Sequence, residues 1–327
     1  MMAPRVSVLM TAYNRASFIA SSIESVLAQT FTDFELVIVD DCSTDGTLDI
    51  ARRYERLDSR VHLSVNPRNL GDYGNRNHAA TLARAPLFKY HDSDDLMYPH
   101  CLDVMVSMML SEPRASFGLS RAAMWPGGAC PMLLTPRMAY QREFLGAGLF
   151  MCGPAGAMFR TDAFRRLGGF VDAGAPSDQL FWMRACTTEH VLLLPADLFW
   201  YRLHPAQQME SEAARHQYAR AVSWIWEALN APACPLTEDE RRQAKRNRAY
   251  HLAKRTLQDV RRQQWQAAWD RLRHSGLSVS DWLTYLRPAR RDLLAGTPMT
   301  DHGEFVTPSW STSSASRQAE EKTARKA

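Results

Sequence analysis

Over its first hundred residues the chain alternates short apolar runs with stretches in which apolar residues recur every three or four positions. "RVSVLM" reads as a strand, and "FIASSIESVLAQ" then spaces Phe18/Ile19, Ile23 and Val26/Leu27 along one face of a helix. "FELVIV" is a second apolar strand, followed by "DDCSTDGT" and a helix from about Leu48 to Leu57. "VHLSV" supplies a third strand, "NPRNLGDYG" a loop of turn formers, "NRNHAATLARA" a helix and "PLFKYH" a fourth strand. Strands that are apolar on both faces and alternate with helices predict a mixed, mostly parallel sheet covered by helices. In such sheets ligands bind outside the carboxyl ends of the strands, which sets "TAYN", "DDCSTDG" and "DSDD" along one rim.

After Pro99 the pattern loosens. "PHCLDVMVSMMLSEP" is helical, "ASFGLSRAAMW" strand-like and "WPGGACP" a turn. "RTDAFRRLGGF" reads as a short helix opened by Thr161 or Asp162 and closed by the Gly pair. "PSDQLFWMRA" reads as a second short helix, with Ser177 placed to cap it, and "VLLLPADLFWYRLH" as two short strands. From about Leu236 the chain is helical and basic, and from about Thr297 it is polar and Ser/Thr-rich, as a disordered tail would be. The expected divisions are an α/β unit over 1–205, a basic helical C-terminal extension over 206–296 and a tail over 297–327.

Composition narrows the class. At 327 residues, 46% hydrophobic and 23% charged, the chain suits a soluble globular protein with one large domain and an appendage. No run of about 18 apolar residues predicts a membrane span, and "MMAPRVSVLMTAYNR" is a poor signal peptide. Six cysteines without a CxxC pair argue against zinc and a disulfide framework and suit a reducing, cytoplasmic setting. The net charge of +4 hides an asymmetry: residues 237–291 hold 14 Lys/Arg against 6 Asp/Glu. In that region Tyr250, Leu257, Val260, Trp265, Trp269 and Leu272 fall on one stripe, which suits a side turned to the core. The alternative use of such helices is peripheral contact with an anionic membrane leaflet. Nucleic-acid binding is disfavoured, because the aromatics follow the stripe instead of interleaving with exposed basic groups.

The chemistry concentrates in "LFKYHDSDDLMYP", which places Asp92, Asp94 and Asp95 within four positions at the tip of a strand. A solvated turn would use such residues; so would a divalent cation, which needs hard oxygen ligands. "MTAYN" is an ordinary strand-to-helix turn capped by Asn14 or Ser17, or a polar surface with a ring for a nucleobase. No GxGxxG follows the first strand and no GxxxxGK[ST] occurs, so nucleotide binding would rest on polar strand ends and a metal.

The segment "VSVLMTAYNRASFIASSIESVLAQTFTDFELVIVDDCSTDGT" resembles the opening of the family 2 glycosyltransferases, which have the Rossmann-like GT-A fold. The resemblance continues through "NLGDYGNRNHA", "DSDD", "GAMFRTDAFRRLGGF", "PSDQLFWMR" and "YRLHP", covering about residues 5–205. It implies an inverting, metal-dependent transferase that moves a sugar from a nucleoside-diphosphate sugar, with UDP favoured, to an acceptor hydroxyl in glycan or polysaccharide assembly. It further implies that Thr11, Tyr13 and Asp41 hold the base, that Ala12 allows close approach, and that Arg76 faces the nucleotide or its phosphates. By the same likeness Asp94 ligates Mn²⁺ or Mg²⁺, Asp92 contacts ribose or metal, and Asp95 supports the loop or the sugar. Asp178 matches the catalytic base, His204 a histidine near the diphosphate and the metal, and Arg202 lies beside it. The family usually reads Glu-Asp where this chain has Ser177-Asp178, which leaves acceptor identity open. A glycan or lipid-linked acceptor, met in the cytoplasm or at the inner membrane face, is expected. The alternatives are a non-catalytic sugar-nucleotide-binding protein and a sugar-nucleotide nucleotidyltransferase. The latter shares the sheet type, but its Gly-rich, Arg-containing loop after the first strand is missing here.

Overall fold

The computed structural model describes residues 3–120, 130–146, 148–204 and 212–278, together with 280, 281, 284, 304 and 305. Four strands open the chain: β1 (Val6–Ala12), β2 (Phe34–Asp40), β3 (Val61–Val65) and β4 (Leu87–Tyr90). Helices α1 (Ile19–Leu27), α2 (Thr47–Leu57) and α3 (Asp72–Leu82) connect them. All pairings among these strands are parallel, as a helical crossover between neighbours requires. Val8 and Met10 of β1 and Leu36 and Ile38 of β2 enter one core cluster, while Leu9, Val37 and Val39 enter another. The alternation shows why these strands carry no polar face: both sides of the sheet are covered.

The remaining elements are β5 (Leu96–Met97), α4 (Cys101–Ser111), β6 (Ala115–Ser120), β7 (Met132–Leu134), α5 (Pro136–Phe144), β8 (Ala157–Arg160), α6 (Thr161–Arg166), α7 (Ser177–Ala185), β9 (His190–Leu194), β10 (Phe199–Trp200), α8 (Glu212–Asn230), α9 (Glu238–Arg261), α10 (Trp265–Arg273) and β11 (Glu304–Phe305). The main sheet runs β11-β7-β9-β6-β8-β4-β1-β2-β3, and β8 lies antiparallel to both β4 and β6. The sheet is therefore mixed, parallel through its N-terminal half, and helices pack on both faces. On the face of α3 and α7, Phe88, Phe117, Phe159, Phe164, Phe170, Phe181 and Trp182 form one aromatic cluster, with Phe88 stacked on Phe159 at 4.9 Å. Ile225 and Leu229 of α8 and Ala244 of α9 belong to that same cluster.

Several local expectations differ from the structure. Neither Asn14 nor Ser17 caps α1, whose first turn follows Phe18 without a side-chain bond. Asn14 instead takes a positive φ of 52° and accepts from the Thr44 N–H. Helix α6 starts after Arg160, so Thr161 and Asp162 are already helical and cannot cap it; the Gly168–Gly169 pair does close it, both at positive φ. Ser177 does not cap α7 either: its Oγ donates to the Gly174 carbonyl and accepts from the Ala173 N–H, tightening the preceding loop. Helix α3 begins three residues before the expected start, at Asp72, directly after Gly71 at φ 78°. Asp72 bonds Arg76 one turn on, which stabilises that first turn.

The stripe on the basic helices faces outward, against expectation. Tyr250, Leu257, Trp265, Trp269 and Leu272 are 39–64% exposed. The domain side of α9 is made instead by Ala244, Ala249, Leu252 and Thr256. Small residues let the helix lie close to the domain, and ion pairs fix its rotation. Glu240 takes Arg137 at 2.8 Å and Gln141 at 2.6 Å from α5, and Arg248 pairs with Glu143 at 3.0 Å. The expected disordered tail lies outside the described residues except for Glu304–Phe305, which pair with β7, and most of the "WPGGACP" turn lies outside them too. Among the described residues no helix is long and apolar enough to cross a membrane, and all six cysteines are free thiols.

Candidate active site

The three polar clusters meet at the carboxyl ends of β1, β2 and β4. Register sets Ala12 opposite Asp40 and Leu9 opposite Tyr90, so "TAYN", "DDCSTDG" and "HDSDD" emerge side by side. A cleft of about 840 Å³ opens there. Thr11, Ala12, Tyr13, Asp41, Arg76, Asp92, Asp94 and Asp178 all line it. Asp95, Arg202 and His204 stand behind the lining and support it.

The first two loops are laced together. Asn14 N–H donates to Ser43, Arg15 N–H to Thr47 and Ala16 N–H to Asp45. Tyr13, between these bonds and β1, leaves its ring 47% exposed over the cleft. Asp41 is buried and its carboxylate is already engaged: Oδ1 accepts from Asn66 Nδ2 at 2.7 Å and Leu70 N–H at 2.8 Å, and Oδ2 from Gly71 N–H at 3.0 Å. Asp41 thus shapes the "NPRNLGDYG" loop as well as facing the cleft. Gly71 makes this possible, since its left-handed backbone turns its N–H onto the carboxylate.

The crowded carboxylates are separated by their cations. Arg76 donates to Asp72 at 2.9 Å and to Asp92 at 2.8 Å, and its guanidinium lies by the Tyr73 and Tyr90 rings. Burial works to raise the Asp92 pKa, but the Arg76 charge and hydrogen bond outweigh it and hold the group below its ordinary value. Burial alone would lower the pKa of Arg76; Asp72 and Asp92 instead carry it well above the usual guanidinium range. Asp94 points elsewhere: its Oδ2 takes Arg15 Nε at 3.0 Å and lies 3.0 Å from His204 Nε2. Arg202 donates Nε–H to the Asp94 carbonyl at 2.7 Å and its N–H to buried Asp95 at 3.0 Å, while its guanidinium packs between Phe18 and Trp200.

Asp178 enters the cleft from the first turn of α7. Its Oδ1 accepts from the Gln179 N–H at 2.6 Å, and its own N–H donates to the Tyr73 hydroxyl at 3.3 Å. Burial pushes its carboxyl up to about 7, against the lowering pull of the Gln179 N–H and the Arg76 charge. A carboxylate tuned to that range accepts protons efficiently near neutrality.

Asp94 Oδ2 and His204 Nε2 offer one hard and one borderline donor converging on the same point. Among the described residues no group of three His, Cys, Asp or Glu side chains forms a closed cage. That donor set fits a Mn²⁺ or Mg²⁺ ion whose remaining ligands are phosphate oxygens and water, and does not fit a preformed structural metal site. Sequence reasoning missed Arg15, Asp72, Tyr73, Asn75, Gln179 and Tyr218, all of which line the cleft. The Asp72/Arg76 spacing was readable as a helical i,i+4 pair. Tyr218 comes from α8, which has no local motif pointing at the site.

Comparison with known proteins agrees with this geometry. Residues 7–168 match the family described as Glycosyl transferase family 2. A 105-residue segment is 39% identical to the Escherichia coli UDP-Glc:alpha-D-GlcNAc-diphosphoundecaprenol beta-1,3-glucosyltransferase WfgD, covering 32% of this chain and 41% of that one. The chain spans only about two-fifths of the length of such curated relatives, from 38% to 42%. The structure resembles S. aureus TarS 1-349 in complex with UDP-GlcNAc, with a TM-score of 0.57, 23% identity and coverage of 73% and 70%. It also resembles the mannosyltransferase PcManGT from Pyrobaculum calidifontis in complex with GDP-Man and Mn²⁺, with a TM-score of 0.56, 17% identity and coverage of 87% and 86%. These likenesses establish the GT-A fold.

Proposed function

We propose that the protein is an inverting glycosyltransferase that moves a sugar from a nucleoside-diphosphate sugar to an acceptor hydroxyl. The observation that carries this reading is one cleft lined by both the Asp92/Asp94 motif and Asp178, whose pKa is pushed up to about 7. Tyr13 presents a ring for the base, Thr11 and Asp41 polar edges, and Ala12 leaves room between them. Asp92, held by Arg76, is placed for the ribose side, and the Arg76 charge faces the phosphates. Asp94 and His204 would hold the divalent cation, whose charge stabilises the diphosphate as it leaves. Asp178 takes the proton of the acceptor hydroxyl as that oxygen attacks the anomeric carbon. With base and leaving group on opposite faces of the sugar, configuration inverts. Tyr218, Gln179 and Tyr201 line the side where the acceptor enters. Asp95 and Arg202 hold the Asp94 loop in place.

UDP is the favoured donor nucleotide, supported by the sequence likeness to a UDP-glucose enzyme and the fold likeness to a UDP-GlcNAc complex. The catalytic domain is assigned to residues 1–205 and the helical extension to 206–296. Glycan or polysaccharide assembly at the cytoplasmic side, on a free or lipid-linked acceptor, is the matching role. A thermal-shift panel of UDP, GDP and dTDP with and without Mn²⁺ tests the donor site, since native-state ligands raise the midpoint by mass action. Release of sugar or its transfer in the presence of Mn²⁺ then separates an enzyme from a binder. Stabilisation by none of the nucleotides would sink the proposal.

A further inference from the structure

The largest apolar side chains of α9 and α10, Tyr250, Trp265 and Trp269, are exposed. Trp265, Trp269 and Leu272 recur at i, i+4 and i+7 along α10, and the two indoles are 64% and 62% exposed. On α9, Tyr250 and Leu257 share an exposed face with Arg246, Lys254 and Arg261, spaced three or four residues apart. Arg271 pairs with Asp259 at 2.9 Å and ties α10 to the end of α9. Ala244, a member of the domain's core cluster, holds α9 against the domain on its other side.

Charge and shape together select its occupant. From Arg241 to His274 the chain has eleven Lys/Arg against two acidic residues, Asp259 and Asp270, and Arg271 already neutralises Asp259. Exposed indoles flanked by cations suit the headgroup region of a bilayer, where a ring is half apolar and half wet. Leu257 and Leu272 offer nothing to a nucleic acid but suit the acyl boundary. Two copies of this face would repel each other. We propose that the α9–α10 face docks the protein on an anionic lipid bilayer. Arg246, Lys254 and Arg261 meet the headgroups, while Trp265, Trp269, Leu257 and Leu272 enter the headgroup–acyl boundary. The contact is peripheral, and it stands apart from the chemistry of the cleft.

The test is co-sedimentation of the full chain with vesicles of phosphatidylcholine alone or with 30% phosphatidylglycerol. Binding is expected to the anionic vesicles and to weaken with salt. W265S/W269S is expected to lower partitioning at least tenfold. R246Q/K254Q/R261Q is expected to lower it by about a hundredfold, on the order of fivefold per cation. These positions lie outside the cleft, so the nucleotide-induced thermal shift serves as a folding control and is expected to be unchanged. Equal partitioning of parent and both variants would overturn the proposal, as would an absence of binding to the anionic vesicles. So would retention of single-stranded DNA or concentration-dependent dimerisation that the same variants abolish while vesicles are ignored. None of these results bears on donor binding, so the two readings fail separately.

Discussion

Asp178→Asn separates function from stability in a way that the structure makes quantitative. In the native protein the carboxyl titrates at about 7, whereas the ordinary value in an unfolded chain is 3.8. Between those values the folded state holds a proton that the unfolded state has released, so the contribution of Asp178 to stability falls as pH rises from about 4 to 7. Above pH 7 the native state carries a buried charge. The full shift of roughly three pKa units corresponds to about 4 kcal/mol, and water in the open cleft reduces the observable part to about 1–2 kcal/mol. Asparagine keeps the size and can still accept from the Gln179 N–H, but it has no charge to bury.

The variant is therefore expected to melt a few degrees above the parent at pH 8 and at the same temperature near pH 4. Donor affinity should be retained, while transfer drops about 10²- to 10⁴-fold through loss of the base. The parent's transfer rate should rise with pH through about 7. Melting by differential scanning fluorimetry across pH 4–8, with transfer measured on the same samples, reads both limbs. Normal transfer by the variant would refute the assignment of the base. A melting difference that does not change with pH would refute the burial argument, whatever the activity.

Asp94→Asn is expected to weaken Mn²⁺-dependent UDP binding at least tenfold by calorimetry while leaving the fold intact, because asparagine keeps an oxygen that can accept from Arg15, which also donates to the Tyr13 and Asn14 carbonyls. Mn²⁺ alone should bind weakly and UDP should strengthen it severalfold, since two donors, Asp94 and His204, meet there among the described residues; tight binding of the ion without nucleotide would contradict this expectation. Asp41→Ala is expected to reduce nucleotide affinity and also to cost about 1–3 kcal/mol in urea unfolding, since three donors lose their acceptor. Glu240→Gln should flatten the acid limb of stability. Burial opposes ionisation of Glu240, but Arg137, Thr237 and Gln141 depress its pKa to about 2, so its contribution is present above about 4.5 and lost as pH falls toward 2. After solvent screening this amounts to about 1 kcal/mol.

Much of the fold was legible because burial on both faces leaves a plain trace. Val8 and Leu9, or Val37 and Ile38, are adjacent and apolar yet face opposite cores, and only a doubly covered sheet uses such pairs. The acidic rim was legible for a related reason: Asp92 and Asp94 follow directly on the apolar run of β4, whereas Asp178 was reached only through the family resemblance. The caps were less so, because Ser177 and Asn14 found partners in loops that no local pattern describes. The outward turn of Trp265 and Trp269 was illegible from periodicity. A stripe at helical spacing tells which residues share a face but not which face meets the domain. Here that choice belongs to Glu240, Arg248 and the small side chains of α9, whose partners Arg137 and Glu143 lie about a hundred residues earlier.

The charge pattern of the cleft bears on how a donor enters. Asp72 and Asp92 share one guanidinium and Asp94 holds another, so these three carboxylates face two cations and the site carries excess negative charge before any ligand arrives. A diphosphate placed beside these carboxylates would meet repulsion that Arg76 alone cannot cancel, since its charge is already shared between two partners. A donor arriving with a divalent cation removes the conflict. A cation held by Asp94 would compete with Arg15, and the displaced guanidinium, on the loop that also carries Tyr13, would become available to the phosphates. Metal and nucleotide binding would then be mutually dependent, since each would supply the charge that the other needs.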